Sequence, residues 1–335
     1  MLLLKNIFFL ILIAPIFLIE LVFYKIFKRN CSNLSHQFMI RLFTITGGFT
    51  NDLIDNFLKE KKEIDLADIK FNSENIDINK NIKELNINGY YINEKFLDDV
   101  KIENILNKLK LLKGRYSGDN VKDNEIYKLN FKQSENSTRF TYESDDLLEI
   151  PEIQNLLLSG DILKTAQLYL NSLPIIDIVA AWWTFPTDKS DEQSAQFWHY
   201  DMDRPKWIKL FLYLNDVNLD NGPHCFVAKS HLNNGINYNI RKYGYSRIQN
   251  NLIEKYYSNN DVKYITAEKG SLLFEDTRGL HKGLKVKKSS RLLLQFQYST
   301  SLFGATSKKL LFPQTQTELF KKMRVENPII FQAFK

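Results

Sequence analysis

Hydrophobic and polar positions follow three rhythms along the chain. Residues 7–24, IFFLILIAPIFLIELVFY, are apolar apart from Glu20 and are broken once, by Pro15. Between residues 100 and 112, Val100, Ile102, Ile105, Leu106, Leu109 and Leu112 recur at helical spacing. Pro151 opens a second helical stretch through Ile153, Leu156, Leu157, Ile162, Ala166, Leu168 and Leu170, and Pro174 closes it. Beyond that point the pattern is that of strands. Residues 175–185 are apolar and β-rich. Residues 207–214 alternate, with Ile208, Leu210, Leu212 and Leu214 on one face and Trp207, Lys209, Phe211 and Tyr213 on the other. Residues 262–266 and 271–274 predict strands on either side of the turn Glu268-Lys269-Gly270. Residues 291–299 alternate as well, Leu292, Leu294, Phe296 and Tyr298 against Arg291, Leu293, Gln295, Gln297 and Ser299. The second of those faces points either into water or into a polar lumen. Helices first and short strands later predict an α+β fold, a double-sheet jelly-roll core with flanking helices.

The remaining stretches carry weaker patterns. Residues 31–75 are mixed and polar, and the pairs Leu53-Ile54 and Phe57-Leu58 predict a short amphipathic segment there. Residues 59–85, rich in Asn, Lys, Ile and Glu, read as a linker, followed by a β-like run over 87–92. Residues 115–140 read as a polar loop over the site. Residues 232–261 read as a long, tyrosine-rich loop of the kind that carries specificity. The expected organisation is an anchor at 1–30, a juxtamembrane segment and linker at 31–84, a catalytic domain at 85–305 and a C-terminal extension at 306–335.

The first apolar run decides where the protein works. A bilayer-spanning helix needs about 20 apolar residues, whereas a cleaved leader has a shorter run and a small-residue cleavage site. Here Lys25-Ile26-Phe27-Lys28-Arg29 follows, with no such site. The run therefore predicts an uncleaved N-terminal membrane anchor, a transmembrane helix with the catalytic domain facing the cytoplasm by the positive-inside rule. Pro15 and Glu20 leave room for a kinked, monotopic anchor instead. The net charge is +6, and Lys5, Lys25, Lys28 and Arg29 against Glu20 supply half of it. No basic stripe with interleaved aromatics exists, so nucleic acid is not an expected partner. Two cysteines, Cys31 and Cys225, exclude a disulfide framework.

The chemistry gathers at two places. His199 and Asp201 are two residues apart, so in an extended segment an imidazole and a carboxylate enter one space. Gly279-Leu280-His281-Lys282-Gly283 supplies a second histidine between small flanks. Two histidines and one carboxylate bind Fe(II) on one face and leave the opposite positions open. Arg291 opens the last strand, and its planar guanidinium suits a carboxylate held bidentately. Together these residues predict iron on His199, Asp201 and His281, with a carboxylate-bearing co-substrate at Arg291. Singly, each histidine is as readily a turn or core residue; the set carries the argument. His224 and His231 are rival third ligands, ranked lower because no arginine-bearing strand follows either at the right distance. Lys209 and Tyr213, on one strand face, are candidates for binding an anionic group of the co-substrate. Trp198, Trp207, Phe211 and Tyr213 either wall the pocket or belong to the core.

Several stretches resemble the phytanoyl-CoA dioxygenase family. They are Asn88-Gly89-Tyr90-Tyr91-Ile92, Gln196-Phe197-Trp198-His199-Tyr200-Asp201, Asn221-Gly222-Pro223 through Ala228-Lys229-Ser230-His231, residues 270–276, Leu280-His281-Lys282-Gly283, and the strand opened by Arg291. The resemblance covers roughly residues 85–305. It implies a double-stranded β-helix (jelly-roll, cupin-like) and an Fe(II)- and 2-oxoglutarate-dependent dioxygenase using O2. It also implies that His199, Asp201 and His281 are the iron triad and that Arg291 pairs with the distal carboxylate of 2-oxoglutarate. The chain departs from the family at Ala228-Lys229-Ser230-His231, where Pro-Gly-Ser-His is frequent; that turn is structural. The carboxylate at Asp201, where alanine or glycine would free a site for halide, favours hydroxylation over halogenation.

Three functions follow from these residues. The first is a membrane-anchored oxygenase hydroxylating a small-molecule or lipid-like substrate. The second is a membrane-tethered, non-catalytic binding protein with a degenerate dioxygenase fold. The third is a cupin-like metalloenzyme that does not use 2-oxoglutarate and has no need of Arg291. Substrate identity and oligomeric state are not written in the sequence.

Overall fold

The computed structural model describes residues 2–335 except 61–62, 65–68, 70–76, 119–124, 132–136, 187–196 and 245, with side chains from Asn6 onward. Three helices open the chain: α1 Leu2–Phe27, α2 Asn33–Thr46 and α3 Phe49–Leu58. Helix α4 (Ile78–Asn88) then leads into strand β1 (Tyr90–Asn93). Helix α5 (Asp99–Leu109) and strands β2 (Lys113–Ser117), β3 (Tyr127–Lys128) and β4 (Arg139–Tyr142) follow. Helices α6 (Ser144–Leu148), α7 (Pro151–Leu157) and α8 (Gly160–Leu170) precede β5 (Ile175–Thr184), β6 (Trp207–Tyr213) and β7 (His224–Val227). The short helices α9 (Tyr238–Arg241) and α10 (Asn250–Tyr256) come next. Strands β8 (Val262–Ile265), β9 (Leu272–Glu275), β10 (His281–Gly283) and β11 (Arg291–Ser299) complete the sheets, and α11 (Glu318–Glu326) follows them.

Eight strands form one antiparallel sheet in the order β1-β9-β6-β11-β5-β4-β2-β3, and β10-β7-β8 form a second. The fold is mixed α/β, and the large sheet facing a small one is consistent with a jelly-roll core. Strand β11 lies at its centre, paired with β5 on one side and β6 on the other. Every residue of β11 is buried. Its even-numbered residues join Ile153, Leu157, Ile162 and Ala166 of α7 and α8 in the main core. On the other face Leu293 packs with Trp182, Phe211, Tyr213 and Phe226 of the smaller sheet. The polar face of β11 therefore looks into the space between the sheets and not into water. Burying a phenylalanine such as Phe296 (1% exposed) on the helix side is the kind of contact whose truncation costs about 3–5 kcal/mol.

The structure revises several expectations. The 151–174 stretch is two helices, because the chain turns at Leu158-Ser159 and α8 restarts at Gly160. The described part of 59–85 is not wholly linker: α4 begins at an Asp77 cap and ends at Gly89 (φ +86°), and Ile64, Ile69 and Leu85 are buried in the main core. Residues 115–140, expected as loop, contain part of β2, all of β3 and the first two residues of β4, since Tyr116 and Phe140 alternate inward. Residues 119–124 and 132–136 of that stretch lie outside the described residues. The 232–261 loop holds α9 and α10, pinned by buried Ile236, Ile240, Ile248 and Ile253. The C-terminal residues Phe320, Met323, Ile330 and Phe331 are buried in the main core alongside β11.

Candidate metal centre

Backbone pairing brings the two histidines together. The His199 amide donates to the His281 carbonyl at 3.0 Å, and the His281 amide returns to the His199 carbonyl at 2.8 Å. This isolated bridge, not a continuous strand, holds the histidine–aspartate segment. The Asp201 amide donates to the Thr277 carbonyl at 2.8 Å, which sets the carboxylate beside the rings. Each imidazole turns Nδ1 toward the carbonyl two residues earlier: His199 toward Phe197 at 2.9 Å, His281 toward Gly279 at 3.0 Å. A carbonyl only accepts, so Nδ1 carries the proton and Nε2 keeps its lone pair for a metal. His199 Nε2 stands 3.9 Å from Asp201 Oδ1, and His281 Nε2 stands 3.6 Å from Oδ2. One ligand atom from each of the three lies within 4.8 Å of the others, close enough to share an ion. Asp201 and His281 are buried, whereas the His199 side chain is 32% exposed, so the group opens on one side.

The electrostatics suit a cation. Burial, followed by repulsion from His199, pulls the His281 pKa down to about 3. Its ring is thus neutral at physiological pH, as metal ligation requires. Burial alone would raise the Asp201 pKa, but the Lys209 ammonium, with His281 and His199, outweighs it and holds the carboxyl below its ordinary range. Lys209 Nζ donates to Asp201 Oδ2 at 2.5 Å and lies 3.7 Å from Asp203 Oδ2. Lys209 therefore neutralises Asp201 from the side. Tyr213, the other strand-face candidate, is fully buried and donates its hydroxyl to the Ile265 carbonyl at 2.9 Å.

Arg291 is the second feature of the site. It is 4% exposed, and among the described residues its Nε and Nη1 have no hydrogen-bond partner. Burial lowers its pKa, yet a guanidinium remains charged. A buried charge without a partner is costly, which makes this a socket for an anion. The guanidinium lies against β10 at Gly283, where an added Cβ would come within 3.2 Å of Nη2. Gly283 is two residues beyond His281, about 7 Å along a strand, the scale of a five-carbon dicarboxylate. Both parts thus fit iron and 2-oxoglutarate: free Nε2 atoms around a carboxylate, and an orphaned guanidinium one short step away.

Sequence reasoning missed Arg139 and Glu275. Thr184 of β5 is flanked in register by Arg291 of β11 and Arg139 of β4. Arg139 stacks its guanidinium 4.2 Å from the Trp182 ring, and among the described residues its Nε also lacks a partner. Burial, then the charge of Arg291, lowers its pKa to about 10. The only sequence signal was Phe140 and Tyr142 alternating beside it, too short a run to mark a strand. Glu275 of β9 is fully buried, with its pKa pushed up to about 8 by burial, and His224 Nδ1 meets its Oε2 at 2.7 Å. The His224 ring lies 5.7 Å from that of His281. His231 instead lines a separate polar cavity of about 320 Å³ with Tyr169, Lys206 and Arg278. Among the aromatic candidates, Trp198 packs with Tyr200 and Phe43, and Trp207 Nε1 donates to Thr277 Oγ1 at 2.8 Å. Phe211 and Tyr213 are buried in a hydrophobic cluster with Trp182, Phe226 and Leu293. Gln196, the first residue of the histidine motif, lies outside the described residues.

The phytanoyl-CoA dioxygenase family model matches residues 85–290. The chain belongs to the phytanoyl-CoA dioxygenase family, and it is an enzyme of the non-heme Fe(II)- and 2-oxoglutarate-dependent class. Solved structures similar to it include the α-ketoglutarate-dependent epimerase SnoN from nogalamycin biosynthesis, 14% identical with a TM-score of 0.47, covering 66% of this chain and 82% of that one. HygX from Streptomyces hygroscopicus with nickel and 2-oxoglutarate bound is also 14% identical, with a TM-score of 0.47, covering 71% of this chain and 92% of that one. No curated protein matches the chain.

Proposed function

We propose that the chain is a membrane-anchored hydroxylase acting on a small-molecule or lipid-like substrate, with its catalytic unit at residues 85–305 built as a double-stranded β-helix. In this reading His199, Asp201 and His281 hold Fe(II), and Arg291 receives the distal carboxylate of 2-oxoglutarate. The observation that carries it is the juxtaposition of three convergent ligand atoms with a buried, unpartnered guanidinium. Iron bound there would supply the O2-driven oxidative decarboxylation of 2-oxoglutarate to succinate and CO2, one atom of O2 entering succinate and the other inserted into a substrate C–H bond. The chain's own residues position and shield. Lys209 holds Asp201 in its ligating orientation, and Gly283 leaves room for the Arg291 fork. Arg139 adds positive charge at the same end. Phe211, Trp182 and Phe226 keep water from the inter-sheet space, which strengthens each charged contact there. The carboxylate at Asp201 fills the position a halide would need.

Among the described residues, α1 is the one helix long and apolar enough to cross a membrane, with a mean hydropathy of 2.7 over an 18-residue window within Asn6–Phe27. It serves as the anchor, and Lys25 in its last turn with Lys28 and Arg29 after it favour the cytoplasmic side. The test is O2-dependent release of succinate from 2-oxoglutarate by the purified Fe(II) protein. Slow uncoupled turnover without substrate is expected, abolished in Asp201→Ala. No succinate from an iron-loaded protein, at any 2-oxoglutarate concentration, would favour the non-catalytic binding protein.

A further inference from the structure

Helix α1 does not stand away from the protein as a spanning anchor does. A stripe recurring every three to four residues, through Phe9, Ile13, Phe17, Leu21 and Tyr24, packs against α2, α3 and the core residues Ile175, Leu302 and Phe303. Polar contacts fix this stripe along its length. At the C-terminal end, the Leu302 amide donates to Tyr24 Oη at 2.5 Å, Lys25 Nζ donates to the Leu58 and Lys59 carbonyls at 3.2 Å, and Lys28 pairs with Glu60 at 2.5 Å. In the middle, Glu20 accepts from the Ser32 amide at 2.8 Å. Near the N-terminal end, Arg41 lies 3.5 Å over the Phe9 ring, and Asn6 lines a groove with Arg41 and Lys242. Both ends of one helix are therefore tied to the same body, the N-terminal end through α2, whose Thr44 carbonyl accepts from Arg241.

The outward face is apolar. Phe8, Ile11, Leu12, Leu18, Ile19 and Ile26 are 56–71% exposed. Ile7, Ile16, Val22, Phe23 and Phe27 are exposed as well, and with them the outward positions sweep roughly 200° of the circumference at helical spacing, wider than the apolar stripe of about 100° with which a helix usually packs. They run the length of Asn6–Phe27, about 33 Å at 1.5 Å per residue. A lipid phase covers such a broad arc from all sides, and one partner helix does not. Arg29, exposed at the end of the run, suits anionic headgroups.

Resting on the membrane anchor proposed above, we infer that α1 lies in the plane of the bilayer surface, its outer arc sunk into one leaflet and its inner stripe clamped to the catalytic domain. The protein is thus monotopic, and its domain is held against the lipid in a fixed orientation. A spanning α1 would have to tear away from the domain or carry it into the hydrocarbon.

The experiment uses the full chain and vesicles of phosphatidylcholine with phosphatidylserine. The wild type floats with the vesicles in a density gradient. The triple variant Ile11→Glu, Leu18→Lys, Ile19→Glu, all at outward positions, loses flotation while keeping 2-oxoglutarate binding. Single cysteines, Asn6→Cys and Asn30→Cys, are then exposed to a membrane-impermeant maleimide outside the vesicles, with the wild type, whose Cys31 and Cys225 are buried, as the blank. Both react if α1 lies in plane. Flotation with one of the two protected overturns the in-plane arrangement and leaves the anchor standing. A wild type that stays in solution, as monomer or as a dimer joined through α1, overturns the anchor itself. Flotation of the triple variant equal to wild type also overturns the inference, because the outer arc would then not be the lipid contact.

Discussion

Replacing Arg291 by methionine separates co-substrate binding from metal binding, and the structure gives the size of the effect. Arg291 is 4% exposed and has donors without partners among the described residues, so a carboxylate placed there makes charge-assisted bonds in a nearly dry site. Truncating one partner of such a pair costs about 2–5 kcal/mol. At about 1.4 kcal/mol per tenfold, 2-oxoglutarate affinity falls by roughly 30-fold to several thousand-fold. Arg291→Lys recovers part of this, since an ammonium is a point charge and not a fork. Fe(II) affinity changes little, because Arg291 is no ligand. Stability of the ligand-free protein moves in the opposite sense: methionine removes a buried charge that no described residue pairs with, so thermal stability without 2-oxoglutarate is equal or higher. The assay is anaerobic titration of 2-oxoglutarate into the Fe(II) protein, paired with thermal unfolding with and without 2-oxoglutarate. Equal 2-oxoglutarate affinity in wild type and Arg291→Met would refute the reasoning. So would a large loss of ligand-free stability, which would mean that the guanidinium is already satisfied within the fold.

Three further outcomes are expected. His199→Ala, Asp201→Ala and His281→Ala each abolish Fe(II) binding or turnover while circular dichroism remains native, because the apolar core does not depend on the metal; full activity in His281→Ala with loss in His231→Ala would move the third ligand. Gly283→Ala crowds the Arg291 fork, which a Cβ would approach to 3.2 Å, and weakens 2-oxoglutarate by roughly tenfold, about 1.4 kcal/mol, with iron affinity unchanged in a metal titration. Asp276→Asn strips Arg278 of its buried partner at 2.7 Å and destabilises the fold by about 3–5 kcal/mol near neutral pH, read by denaturant unfolding. Burial would raise the Asp276 pKa, but Arg278 outweighs it and the carboxyl sits below its ordinary 3.8. A depressed carboxyl stabilises above its unfolded pKa and loses that contribution as pH falls through the folded one. The gap between wild type and Asp276→Asn therefore narrows only below about pH 4.

The sequence disclosed the long periodic elements and the unusual residue pairs. Strands β5, β6 and β11 were legible because their runs are long, and His199, Asp201, His281 and Arg291 because few other roles need that set. What stayed hidden was short or tertiary. Strand β4 is four residues, so Arg139 read as loop although register places it beside Arg291 across Thr184. The polar face of β11 fitted either water, the usual case, or a lumen, and only packing against Phe211 and Phe226 decided it. Lys209 was placed on the correct strand face, but its partner Asp201 sits on an irregular segment whose direction no periodicity encodes. The docking of α1 was invisible for the same reason: Ile13 and Phe17 look like any other anchor residues until Phe303 is found beneath them.

The central claim is that this fold binds iron and 2-oxoglutarate together through His199, Asp201, His281 and Arg291. Its most direct test is the absorption spectrum of the anaerobic Fe(II) protein as 2-oxoglutarate is added. The weak metal-to-ligand charge-transfer band of a chelated keto-acid should appear in the wild type, be absent in Asp201→Ala, and need far more 2-oxoglutarate in Arg291→Met. Iron bound without any such band in the wild type would contradict the claim and point to a cupin-like metal site that does not use 2-oxoglutarate.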